Sequence, residues 1–260
     1  MTKESPATCD TPLTATPLPP SGNTRAFDLI DLTRPMNRDS LIALGGKRVE
    51  TGWMVKEVEV EWLRSWQAGD NTTQCTWRLS DHFGTHVDAP VHVVKNGAAV
   101  DALDINRLVG TAVVIDCRVA AGRGITADDL RASQPAPRPG DIALLYASEP
   151  AGDIEHYITG QSFVTVDAAT WLVEQGVTAI GVETACLEHA YQRTIVDRCY
   201  EPGETNPWPA HRVCLERDVY IIEGLTNLAQ VAGERIMFAA LPLPVPGSSG
   251  SPVRAVAWRA

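Results

Sequence analysis

Short apolar runs alternate along this chain with polar stretches rich in glycine and proline, and the period within each run separates strand from helix. Over residues 53–62, Val58, Val60 and Trp62 alternate with Glu57, Glu59 and Glu61, the two-residue period of a strand with one buried and one wet face. Residues 27–32 and 74–79 share this strand character. Residues 112–117, 142–146 and 179–182 are almost wholly apolar, as strands covered on both faces are. Strands at 219–222, 236–240 and 253–258 follow, with a Pro/Gly/Ser hairpin region over 243–252.

Helix signals stand between these runs. Thr126 followed by Asp128 and Asp129 predicts a capped helix start, and Asp167 is read likewise as the cap of a helix over 168–174 that Gly176 ends. A further helix is expected over 209–216. Strands and helices that alternate in this way predict an α/β fold with a parallel sheet. The stretch holding Pro6, Pro12, Pro17, Pro19, Pro20 and Gly22 has no periodic apolar face. Residues 1–26 are therefore expected to be a flexible tail and residues 27–260 a single domain.

At 260 residues and 44% apolar composition the chain can bury one substantial core. Its net charge of −10 speaks against a nucleic-acid groove or an anionic membrane surface, both of which need clustered Lys and Arg. A neutral or modestly polar small substrate fits better. Residues 1–25 contain no apolar signal region and the chain has no run of about 18 apolar residues, so a soluble cytoplasmic protein is expected. The six cysteines (Cys9, Cys75, Cys117, Cys186, Cys199 and Cys214) form no CxxC pair and read as reduced, mostly packing residues. No GxSxG elbow is present, and Gly122 and Gly124 lack the third glycine of a dinucleotide loop.

The chemistry concentrates elsewhere. Three of the six histidines, His82, His86 and His92, fall within eleven residues, together with Asp88. On an extended backbone His86 and Asp88 project to one face, and a turn at Gly84 brings His82 to them. Two imidazoles and a carboxylate hold zinc or manganese while leaving positions open for water and substrate, whereas structural zinc sites usually close their shell with cysteines. The competing explanation is a polar loop whose histidines cap backbone groups. His92 lies six residues past His86, beyond Pro90, and suits a proton shuttle better than a ligand.

His211 opens the expected third helix, and Glu223, twelve positions later, ends a very apolar strand. Each reads equally as a metal ligand or as a structural partner, His211 of a helix start and Glu223 of an arginine. His156 reads as exposed, His189 more readily as a structural residue than as one bordering the pocket, and Trp53, Trp62, Trp66, Trp77 and Trp208 as core residues or aromatic walls of a substrate site.

The segment from His82 to His92 resembles the HxGTHxDxPxH signature of the cyclase-like superfamily of metal-dependent hydrolases, which includes bacterial kynurenine formamidases, isatin hydrolases and some dienelactone hydrolases. His211 with the segment from Ile221 to Leu228, which reads IIEGLTNL, is similar to a second block of that family, and Ser251 to Arg254 to its closing strand. The resemblance covers residues 27–260 and implies a single-domain swivelling β/α/β cyclase-like fold, assembled as a homodimer or homotetramer.

Position by position, the resemblance implies that His82, His86 and Asp88 bind a first metal, zinc or manganese. It further implies that Asp88 bridges to a second ion held by His211 and Glu223, and that His92 is the acid/base. Metal-bound hydroxide would attack an amide, formamide or cyclic amide, or a lactone, of a small aromatic substrate, the chemistry of an arylformamidase or an isatin hydrolase. The family's upstream Trp-Pro-Gly segment is replaced here by residues 40–46, SLIALGG, so a formamide substrate does not carry over with the motif. Phe83 and Thr85 lean toward the isatin-hydrolase or biosynthetic branches. The alternatives are a biosynthetic cyclase or dehydratase using the same metal as Lewis acid, and a non-catalytic metal- or ligand-binding protein.

Overall fold

The most apolar runs lie side by side in the folded protein, because a strand covered on both faces has no place for polar side chains. The computed structural model describes residues 28–36, 59–120, 122–147, 161–188 and 208–259. Its strands in chain order begin with β1 (Ile30–Asp31), β2 (Glu59–Arg64), β3 (Gln74–Arg78), β4 (His86–Asp88), β5 (Val109–Asp116) and β6 (Gly124–Ile125). They continue with β7 (Ile142–Tyr146), β8 (Phe163–Val164), β9 (Ala179–Val182), β10 (Tyr220–Glu223), β11 (Arg235–Pro242) and β12 (Gly250–Trp258). The helices are α1 (Ala127–Ala132), α2 (Val166–Glu174) and α3 (Pro209–Leu215).

β5, β7, β9 and β10 pair in parallel in that order, with a described helix in each connection. This is the expected α/β centre. β4 then pairs antiparallel with β10 on one side and with the first residues of β12 on the other. β12 continues against β11, and β11 pairs with β5. Seven strands thereby close into a mixed barrel, with β1 flanking β12.

The alternation of side chains along these strands fills two cores. Val87, Val114, Leu144, Ala179, Ile222, Phe238 and Ala255, drawn from all seven barrel strands, belong to one buried cluster, the lumen. Their neighbours Val113, Ile115, Leu145, Ile180, Val182 and Ile221 point outward and pack with Leu130, Leu172, Ala210 and Leu215 of the three described α-helices. Val87 faces the lumen, so His86 and Asp88 on either side of it face outward, toward the helix layer. Ile221 directs Glu223, two residues on, to that same face.

Thr126 caps α1 as expected, in a reciprocal capping box with Asp129. Asp167, by contrast, does not cap α2: Thr165 occupies that place, and the Asp167 carboxylate accepts a hydrogen bond from Ala127 N at 2.9 Å, tying the two helix starts together. Gly176, with φ of 77°, follows the end of α2. The buried face expected around Val60 and Trp62 is also corrected. β2 and β3 form a separate two-stranded ribbon outside the barrel, and Val60 is 49% exposed. Alternation marks the ribbon's two faces, but burial needs a covering layer, and the ribbon is not part of the sheet that has one. The tail over residues 1–26, residues 40–46, Trp53, His156, His189, Cys9 and Cys199 lie outside the described residues.

Candidate metal centre

Gly84 (φ 65°) turns the chain into β4, and Gly224 (φ 67°) ends β10 against it; a Cβ on Gly224 would stand 2.6 Å from the Gly84 carbonyl oxygen. Thr85 locks the contact by donating its hydroxyl to Gly224 O at 2.6 Å. His86 donates Nδ1–H to Gly84 O at 2.9 Å. Its Nε2 is thereby left facing Asp88 Oδ1 at 3.4 Å and Glu223 Oε2 at 3.5 Å. The β4–β10 register sets Glu223 directly opposite His86.

His82 approaches from the turn before β4. Ser249 donates its hydroxyl to Asp81 Oδ2 at 2.8 Å, so the His82 Nε2, 3.0 Å from Ser249 Oγ, is the donor in that contact. His82 Nδ1 then stands 2.7 Å from Asp88 Oδ1. Gly250 makes room for this ring: a Cβ there would fall 2.8 Å from His82 Cε1. Gly250→Ala is therefore expected to displace His82 and weaken metal retention about 10–100-fold, the usual range for a lost supporting contact, as read by equilibrium dialysis against a chelator. Unchanged retention would show that the ring position is immaterial.

α3 brings in His211. Glu188 accepts from Ala210 N at the start of α3 and from His211 Nδ1 at 2.9 Å. The ring is oriented by that carboxylate, and its Nε2 points at Asp88 Oδ2 at 3.5 Å and Glu223 Oε1 at 3.2 Å. Trp208 packs edge-on against His211 with ring centroids 5.2 Å apart, which makes it a wall of the site. His92, in the turn after β4, completes the cluster, its ring centroid 4.2 Å from that of His82 and 5.9 Å from that of His211.

The structure thus gathers His82, His86, Asp88, His92, His211 and Glu223 into one cluster. Three subsets offer ligand atoms that all lie within 4.8 Å of one another: His82, Asp88 and His92; His86, Asp88 and Glu223; and Cys186, His211 and Glu223. Sequence reasoning did not find Glu188, Cys186, Asp81 or Ser249. Their roles depend on contacts between loops distant in sequence, and only the proximity of Glu188 to His189 hinted at one of them.

The electrostatics are those of carboxylates and imidazoles crowded into one buried space. Burial works against charging His86, but the nearby Asp88 carboxylate, with Glu223 and the Gly84 carbonyl, raises its pKa to about 9. His211 is likewise raised well above the ordinary value, burial being outweighed by Asp88, Glu188 and Glu223. Burial also opposes the ionisation of Asp88, yet the three histidines His211, His82 and His86 hold its carboxyl well below the usual range. His92 behaves differently. Burial, aided by His82 and His211 against the pull of Asp88 and Glu223, lowers it to about 4, so it is a neutral base at pH 7. Burial and Glu223 push the Cys186 thiol well above its ordinary value.

A divalent cation fits this donor set. His86 Nε2 and both Asp88 oxygens are buried and make no hydrogen bond, a costly state unless a positive charge occupies the space they share. The two Asp88 oxygens also face different histidines, Oδ1 toward His82 and His86 and Oδ2 toward His211. Nitrogen and oxygen donors of this kind suit zinc and manganese.

An outward-facing histidine and carboxylate cluster, on a barrel strand beneath a helix layer, defines an α/β protein with a buried candidate metal centre. The chain belongs to the cyclase family, whose model, described as "Putative cyclase", matches residues 30–189. Among curated relatives, the kynurenine formamidase of Salinibacter ruber is 27% identical over 238 residues, covering 88% of this chain and 96% of the relative. That of Bacillus cereus is 28% identical over 232 residues, covering 89% and 98%. Isatin hydrolase A from Labrenzia aggregata bound to benzyl benzoate superposes with a TM-score of 0.72 at 23% identity, over 90% of this chain and 94% of that one. A potential metal-dependent hydrolase with cyclase activity superposes with a TM-score of 0.63 at 22% identity, over 90% and 99%. The fold is shared across nearly the whole chain. No described helix is long and apolar enough to cross a membrane.

Proposed function

We propose that this chain is a metal-dependent hydrolase that opens the C–N bond of an amide, formamide or cyclic amide, or the C–O bond of a lactone, in a small aromatic substrate. The observation that carries this reading is Asp88, whose two buried oxygens lack hydrogen bonds and face separate histidine sets. His82, His86 and Asp88 hold the first ion, while Asp88, His211 and Glu223 hold a second. A zinc or manganese ion there would acidify a water molecule and polarise the substrate carbonyl. His92, neutral and at the edge of the cluster, accepts a proton during attack and returns it to the leaving nitrogen or oxygen. Ser249 and Glu188 keep the His82 and His211 rings aimed at Asp88.

The kynurenine formamidase relatives and the isatin hydrolase likeness support the carbon–nitrogen bond as target and an aromatic ring in the substrate. A homodimer or homotetramer, working in the cytoplasm, belongs to the same reading. The exposed Val60, Leu63, Trp66 and Trp77 on and beside the β2–β3 ribbon favour self-association. The decisive experiment pairs elemental analysis of the purified protein with a panel of N-formylkynurenine, isatin and aryl lactones, each product being weighed by mass spectrometry. Hydrolysis adds one water to the substrate. A product of unchanged mass, or one lighter by a water, would instead indicate a cyclase or dehydratase, and protein that neither carries nor accepts metal would overturn the proposal.

A further inference from the structure

Residues 183–188, which follow β9, run past the proposed second metal position with their neighbours tightly held. Leu187 N donates to Glu223 Oε1 at 2.7 Å, and Glu188 binds His211 and the start of α3. Thr184 donates its hydroxyl to Cys186 O at 2.8 Å. Cys186 is thus fixed on both sides, and its sulfur lies within 4.8 Å of the ligand atoms of His211 and Glu223. Zinc holds sulfur at about 2.3 Å and nitrogen at about 2.0–2.1 Å, so small side-chain shifts would let donors within this reach close on one ion. Asp88 Oδ2, buried and without a hydrogen bond, faces the same His211 Nε2 at 3.5 Å.

We infer that Cys186 is a further ligand of the ion held by His211, Glu223 and Asp88, and that this position is a closed, zinc-preferring one. The inference rests on the metal-dependent reading above. The thiol proton is released to solvent when the ion binds, and the sulfur coordinates as thiolate. Four protein donors including a soft sulfur complete a tetrahedral shell and select against manganese and magnesium, which prefer oxygen. The first position, with His82, His86 and Asp88, has three donors and keeps a place for water. One position is therefore open for chemistry, while the other is closed, tight, and supports Asp88 and His211.

Cobalt(II) loading of the metal-stripped full chain tests this, because thiolate bound to cobalt gives a near-ultraviolet charge-transfer absorption that nitrogen and oxygen ligands do not. Wild-type protein and His82→Ala, which spares the second position, are expected to show the band. Cys186→Ser and Cys186→Ala are expected to bind cobalt without it, and to hold the second zinc more than about tenfold more weakly. Cobalt bound to wild type without the band, or a band that survives in Cys186→Ser, would overturn the role of Cys186 and leave the hydrolase reading standing. Wild-type protein that binds no cobalt at all would overturn both.

Discussion

Asp88→Asn is expected to empty the metal centre and to lower kcat/KM by at least about a thousandfold, equivalent to about 4 kcal/mol of transition-state stabilisation. Asparagine keeps the shape but removes the charge that faces His82 and His86 through one oxygen and His211 through the other. Elemental analysis would show both proposed positions losing occupancy together, because both draw on this side chain. A variant that lost one ion and kept the other would deny Asp88 its shared place.

The same substitution has a pH signature in the metal-free protein. His86 has a folded pKa of about 9, above its ordinary 6.5. Its pairing therefore stabilises the fold fully below about pH 6.5 and is lost as pH rises through about 9. Asp88 has a depressed pKa, so its contribution is present above 3.8 and is lost as pH falls through its folded value. The gap in Tm between metal-free wild type and Asp88→Asn should be widest near pH 5–6.5 and narrow toward pH 9 and above. A gap that does not vary with pH would mean that the buried charges are not what the carboxylate holds.

His92→Ala is expected to keep its metal and lose about 10²–10⁴ in kcat, the range for removal of a general acid/base. Burial keeps His92 neutral, with a pKa of about 4, whereas its neighbours His86 and His211 are driven toward the charged form. Unlike His86 and His211, it is held in the neutral form that can accept a proton. His92 also belongs to a donor set with His82 and Asp88. If the variant loses metal in step with activity, His92 is a ligand and the proton-transfer role fails.

Much of this was legible in the sequence, and the remainder was hidden for identifiable reasons. The parallel centre could be read because β5, β7, β9 and β10 are buried on both faces and so must be apolar. His82, His86, Asp88 and His92 could be read because their geometry is local, set by one glycine turn and a three-residue strand. The closure of the barrel was hidden, since β4 is too short to show a period and pairs with β12, far along the chain. Glu188 and Cys186 were hidden because their partners lie more than twenty residues away across a connection whose path no local pattern specifies. Val60 misled because alternation shows that a strand has two faces, not that anything covers either of them.

The strand that seals the barrel is also the strand that carries two of the proposed ligands. His86 and Asp88 are two of the three residues of β4, and each is paired on both sides, to β10 and to β12. An ion that clamps those side chains to Glu223 and His211 therefore acts as a rivet across the last seam of the fold. Loading to a thousand times the dissociation constant adds about 4 kcal/mol to the native state, and here that increment would fall on the join made by a strand of only three residues. Scarcity of metal would then do more than silence a site, because it would loosen the wall on which the site is built.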